Sequence, residues 1–194
     1  PPTFALAASD VETIRVRSAP GAVVVGEHVS TPMPNATAFG LVDYFTLQAQ
    51  SVQFPEPTTL LGAAFKFGKA GTPADGAVLQ IRPDNAGNPS TTILAESPAL
   101  SASEFVVSQT GQSAMLPWRV LSFPDGFEFA TNTPYWLVLK RTGGNDNDDY
   151  FVVAFAAPGS YGGGKSMFSY LSGWDDNSQN RDLLFRLYSG EAPA

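Results

Sequence analysis

Two short segments in the C-terminal third carry residue types from which chemistry could be built. Gly159-Ser160-Tyr161-Gly162-Gly163-Gly164-Lys165-Ser166 fits the phosphate-loop spacing G-x-x-x-x-G-K-S. In such a loop, backbone amides cradle phosphate, the lysine reaches it and the serine holds magnesium. The apolar residues 151–156 precede it as a strand would. The chemistry also needs a helix next. Instead, Met167-Phe168-Ser169-Tyr170-Leu171 alternates like a strand and runs into Gly173. The sequence therefore predicts a glycine loop between strands, with no nucleotide bound.

The second segment is Asn145-Asp146-Asn147-Asp148-Asp149. Oxygen ligands of this kind suit calcium, a hard cation. The loop lacks the glycine and the distal glutamate of an EF-hand, so that loop type is excluded. Asp146, Asp148 and Asp149 are the candidate ligands, and calcium is the one cofactor left open. The alternative is plain turn chemistry, which Asp and Asn favour anyway. Asp175-Asp176-Asn177 is a second acidic loop that could lie near the first.

Three aromatic residues beside these loops are candidate ligand-binding residues: Tyr161, Tyr170 and Trp174. Flat rings stack on sugars while neighbouring Asp and Asn grip hydroxyls. For Trp174 the competing role is a lid on one end of the fold. Trp118 and Trp136 stand in apolar runs and are expected in the core.

Hydrolytic chemistry finds no anchor. His28 is the single histidine, in Val25-Gly26-Glu27-His28-Val29, and no G-x-S-x-G elbow exists. It is expected at an ordinary polar position on a strand. A glycosidase carboxylate pair cannot be chosen from 18 acids that sit mainly in turns. No catalytic residue is assigned, and an enzyme is not expected.

The elements that would position these residues follow from composition. The chain has 194 residues, enough for a core without staples, and no cysteine. That excludes disulfides and thiolate metal sites. Eighteen glycines and 16 prolines are spread along it, well above the roughly 12% of average usage. Long helices have little room. Aromatics reach 12% while charged residues are only 15%, a profile of many short strands. Strand-like runs recur at intervals of about ten to fifteen residues. They cover residues 41–47, 51–54, 60–67, 78–82, 91–95, 105–108, 118–123, 127–129, 135–141, 150–155, 166–171 and 183–188. Residues 82–90 form the plainest turn between them.

The expected fold is all-β, an antiparallel β-sandwich of jelly-roll type with an N-terminal arm. Residues 1–39 are the arm, partly strand-forming, and residues 40–194 the sandwich. Phe65, Phe67, Val78, Leu79 or Ile81, Trp136, Val138, Phe185 and Leu187 are expected between the sheets. The apolar arm residues Phe4, Leu6, Val11, Ile14, Val16, Val23, Val24 and Val25 need burial. They are expected to pair with a sheet edge or a neighbouring subunit.

The net charge of −7 leaves no basic footprint for nucleic acid and no attraction to anionic membranes. The opening Pro1-Pro2-Thr3-Phe4 has no basic stretch, so no leader is expected in this form.

The order of short motifs resembles a known family. Gln50-Ser51-Val52-Gln53-Phe54 is followed by Ala77-Val78-Leu79-Gln80-Ile81, then by Asn85-x-Gly87-Asn88-Pro89-Ser90 and Ile93-Leu94-Ala95. Later come Pro134-Tyr135-Trp136-Leu137-Val138-Leu139, Tyr161-Gly162-Gly163, Gly173-Trp174 and Asp182-Leu183-Leu184-Phe185-Arg186-Leu187-Tyr188. Over about residues 45–190, this order resembles the choice-of-anchor R type of β-sandwich domain. Such domains occur in bacterial surface proteins, with similar modules in bacteriophage virion and tail proteins. The resemblance implies a sandwich and carries over no catalytic residues. The C-terminal sorting segment of the bacterial members is missing, so anchoring to a wall or membrane is not expected.

The expected function is a non-enzymatic virion structural protein, such as a bacteriophage capsid decoration or tail accessory protein on the particle surface. Its partners would be other virion subunits or its own copies, and surface glycans are a further candidate. The alternative is a secreted or cell-surface carbohydrate-binding or adhesion module.

Overall fold

The structure, a computed structural model, describes residues 23–29, 35–108, 116–159, 161–170, 173–176 and 181–189. Within them the protein is a sandwich of two eight-stranded sheets. The first sheet contains β1 (Val24–His28), β2 (Asn35–Phe39), β4 (Thr58–Ala70), β9 (Val106–Val107), β10 (Trp118–Phe129), β12 (Tyr150–Ala156), β15 (Asp182–Leu183) and β16 (Phe185–Tyr188). The second contains β3 (Leu47–Val52), β5 (Gly76–Asn85), β6 (Asn88–Pro89), β7 (Ala95–Glu96), β8 (Leu100–Ser101), β11 (Tyr135–Arg141), β13 (Ser166–Tyr170) and β14 (Gly173–Asp175). Pairing is antiparallel throughout except where β9 meets β4. The described residues include no α-helix, and no helix long and apolar enough to cross a membrane.

The core between the sheets follows the period-two rule. From the first sheet, Phe65, Phe67, Phe151, Val153, Phe185 and Leu187 point inward; Leu79, Ile81, Leu137 and Leu139 meet them from the second. Aromatic edges lock the centre, with Phe105 and Phe151 at 4.8 Å and Phe65 and Phe67 at 5.4 Å between ring centroids.

Both sheets are also apolar on their outer faces. On the first, Val152, Ala154 and Ala156 pack with Leu116 and Leu184. On the second, Trp136 and Val138 pack with Ala49 and Met167. The sequence put Trp136 and Val138 between the sheets. Both are buried, but they face outward, while Leu137 and Leu139 face the core. A run that is apolar at every position shows which residues share a face, not which face is inner.

Glutamine replaces hydrophobes at two inner positions. Gln48 and Gln50 share the inner face of β3 with Val52. Gln48 Nε2 donates to the Ala38 carbonyl at 2.8 Å, and Gln50 Oε1 accepts from the Leu183 amide at 2.9 Å. Each thus joins the two sheets through a hydrogen bond.

The segment assigned to the arm enters the sandwich. β1 pairs with β16 and β2 with β12, and Phe39 lies fully buried in the core. β1 and β2, placed by the sequence in a separate arm expected to pair with a sheet edge, are therefore edge strands of the first sheet itself. The apolar residues from Phe4 to Val16 lie outside the described residues.

Three local expectations differ. Residues 41–46 form an irregular loop, with Asp43 and Phe45 left-handed at φ 65° and 50°, and strand begins only at Leu47. Within residues 91–95, only Ala95 is paired strand. Residues 118–129 form one strand, broken in register between Ser122 and Phe127. The turn at 82–90 forms as expected. Ala86 and Gly87 are both left-handed, at φ 54° and 83°, between the paired Asn85 and Asn88. Two such residues make a type I′ hairpin, whose twist matches its strands.

Candidate functional site

That hairpin and the β13–β14 hairpin supply opposite sides of an open groove of about 540 Å³ on the outer face of the second sheet. Trp174 comes from β14, directly across from Ser169 of β13. Its indole is half-buried against the Ala49, Trp136, Val138 and Met167 cluster, and it lines the groove. Arg82, Asn85, Asn88 and Thr91 line the other side.

Arg82, which lines the groove, and Asp84, next to lining residue Asn85, are both engaged. Asp84 accepts from Trp136 Nε1 at 2.8 Å and from the Gly87 amide at 3.0 Å. Arg82 donates to Gln80 Oε1 and to the Ser90 carbonyl, and Gln80 in turn donates to Glu96. Burial lowers the Arg82 pKa from its ordinary value, and Glu96 acts the other way. By contrast, the side chains of Trp174, Ser169, Asn85, Asn88 and Thr91 hydrogen-bond to no described residue. Of these, only Trp174 was a candidate from the sequence. The others stood there as turn and strand residues, and their signal was the turn chemistry that brings two asparagines side by side.

The other two aromatic candidates go elsewhere. Tyr170 lies on the opposite face of its hairpin from Trp174, by strand alternation. Its ring packs against Tyr44 at 4.8 Å, and a hydrogen bond with Tyr44 raises its pKa. Tyr161 packs edge-on against Phe185 at 5.0 Å and is a partly buried member of the core. The three rings do not form one platform.

Tyr161 belongs to a buried polar cluster with His28, Asp182 and Gln50. Asp182 accepts from the Tyr161 amide at 3.0 Å and from Gln50 Nε2 at 3.1 Å. Burial raises the Asp182 pKa, and the bonds from Tyr161 and Gln50 oppose this. Burial lowers the His28 pKa, with Asp182 pulling it back up. His28 is 7% exposed, and its Nε2 has no hydrogen-bond partner among the described residues. The Tyr161 pKa is raised by burial and by Asp182.

The glycine loop has a packing reason. A Cβ on Gly159 would stand 2.2 Å from Asp182 Oδ2, and one on Gly164 would stand 2.1 Å from the Ser51 carbonyl oxygen. The Lys165 amide donates to Ser51 Oγ at 2.8 Å, and Ser166 Oγ donates to the Arg181 carbonyl at 2.8 Å. The loop is thus zipped onto β3, and strand β13 follows where phosphate binding needs a helix. Among the described residues, the Lys165 ammonium reaches only exposed Asp176, at 3.6 Å.

The acidic loop is tied to backbone. Asp146 accepts from the amides of Asp148 and Asp149, which hold its pKa below the ordinary value. Asp149 accepts from the Thr72 amide at 2.6 Å. Among the described residues, no three His, Asp or Glu side chains are grouped so as to hold a metal ion.

The fold and groove define a class: an all-β antiparallel sandwich with an aromatic groove on one outer face. No family model, no curated protein and no solved structure matches the chain.

Proposed function

We propose that the chain is a non-enzymatic structural protein of a virion, a bacteriophage capsid decoration or tail accessory protein that displays its sandwich on the particle surface. The observation that carries this reading is the edge at β1. Val23 and Val24 are 56% and 44% exposed. Among the described residues, β1 pairs on one side with β16 and has no strand on the other. An open apolar edge is a template for a further strand, which a neighbouring subunit can supply. The motif order resembling choice-of-anchor R modules supports the alternative reading instead, since such domains occur in bacterial surface proteins.

A second reading, a secreted or cell-surface carbohydrate-binding or adhesion module, is favoured by the open Trp174 groove with its unpaired side chains. Immunogold labelling of the source culture with an antibody to the chain separates the two. Gold on virus particles supports the first reading, and gold on cell envelopes supports the second. Gold confined to the cytoplasm of uninfected cells overturns both.

A further inference from the structure

We propose that the groove between Trp174 and the Asn85–Asn88 hairpin binds a neutral oligosaccharide. The proposal names a ligand class and a site for the carbohydrate-binding reading, rests on that reading, and is indifferent to where the sandwich is displayed.

The ring comes first. Trp174 is fixed by packing on Ala49, Trp136, Val138 and Met167 and still lines open space. A fixed indole offers the C–H face of a pyranose a stacking surface at little entropic cost. Beside it stand two side-chain amides, Asn85 and Asn88, and two hydroxyls, Thr91 and Ser169. None has a hydrogen-bond partner among the described residues. An amide offers donors and an acceptor in one plane, which suits a pair of vicinal hydroxyls. The type I′ turn fixes the backbone of both asparagines, so only their side chains have to be ordered on binding.

Charge decides the kind of sugar. Asp84 is satisfied by Trp136 and Gly87, and Arg82 by Gln80 and Ser90. No free cation among the lining residues waits for a carboxylate or sulfate, and the chain's net charge of −7 repels polyanions. An apolar peptide would leave the amides and hydroxyls desolvated without partners. The groove's 540 Å³ falls in the range of about 300–1,000 Å³ usual for small-ligand sites.

The test is a printed array of neutral and acidic oligosaccharides, followed by calorimetric titration of the full chain with the best neutral hit. Saturable binding that survives EDTA and raised salt is expected. Trp174→Ala should weaken it by about tenfold or more, the worth of one stacked ring. Asn88→Ala, on an exposed turn where folding is not at stake, should weaken it severalfold. Trp118→Ala should leave it unchanged. If a neutral glycan binds but Trp174→Ala and Asn88→Ala both bind it normally, the site is wrong while the carbohydrate reading stands. If the array shows only acidic glycans, with salt-sensitive binding, the ligand class is wrong. If no glycan binds, both the site and that reading fall.

Discussion

Trp118 and Trp174 stand on opposite outer faces of the sandwich, and among the described residues cations lie over the first ring while the second lines an open groove. On the first sheet, the Arg186 guanidinium lies 4.7 Å from the Trp118 ring centroid and Lys66 Nζ lies 5.6 Å from it. Arg186 is itself held by Glu27 at 3.3 Å. On the second sheet, Trp174 rests on an apolar floor with Asn85, Asn88, Thr91 and the engaged guanidinium of Arg82 across the groove. Trp118 opens the long strand β10 and Trp174 is the middle residue of the short strand β14. What separates them is where the nearest cations point: Lys66 and Arg186 lie over the Trp118 ring, whereas Arg82, across the groove from Trp174, is turned to Gln80 and Ser90. A cation over a ring satisfies it from within the chain. A cation turned away leaves the ring open.

The largest effect that would sharpen this contrast lies beneath Trp174. Trp136 is 1% exposed, and its Nε1 holds Asp84. Trp136→Ala should cost about 3–5 kcal/mol in urea unfolding, because it opens a cavity and removes a donor from Asp84. Trp118→Ala, half-exposed under its cations, should cost less than half as much. Equal losses would break the comparison, since Trp118 would then be a core residue.

Next is the glycine loop, which lies against β3. Gly164→Ala should destabilise by about 1–3 kcal/mol, because its Cβ meets backbone that cannot yield. Gly162→Ala, with nothing within 4 Å of its Cβ, should change the melting temperature little. If both are tolerated, the loop is not zipped onto the sheet as described.

A smaller effect separates the sheets by pH. Burial lowers the His28 pKa below its ordinary value of 6.5, so the unfolded chain binds that proton more readily than the folded one. Stability is fully present above pH 6.5 and falls as pH drops below it toward the folded value. The Asp182 pKa is raised, so protonation of that carboxyl favours the fold and offsets part of the loss at lower pH. Melting temperature should therefore fall from pH 7.5 to 5.5, and His28→Gln should flatten the fall. Glycan binding at Trp174 should not follow this profile, because no lining residue titrates in that window. Parallel profiles would mean that the groove and the first-sheet edge act as one unit.

The smallest effects concern single cations. Arg186→Ala should cost about 0.5–1 kcal/mol and make Trp118 more accessible to acrylamide quenching. Lys165→Ala should stay within about 0.5 kcal/mol of the parent, since its ion pair with Asp176 is exposed. A larger loss for Lys165→Ala than for Arg186→Ala would reverse the roles assigned to them.

Much of the fold was legible. The turn at 82–90 could be read because Asn and Gly next to Pro and Asp meet its backbone demands locally. The core positions Phe65, Phe67, Phe185 and Leu187 could be read because strand alternation is also local. Less of the site was. Trp174 stood out as an aromatic beside loops. Arg82 and Asn88 gave no sign of facing it, since about ninety residues and the strands β13, β3 and β11 lie between them.

The sequence by itself determined that this protein is all-β, where its main turn falls and which residues share a face of each strand. Those properties depend on neighbours within a few positions. Tertiary structure alone decided that Trp136 and Val138 face outward, that Gln48 and Gln50 face inward, and that cations lie over Trp118 while Trp174 lines an open groove. Each of these depends on which strands become neighbours and on which side of a doubly apolar run the second sheet packs. Local pattern carries neither piece of information, because burial energy is nearly the same on either apolar face until a partner sheet occupies one of them.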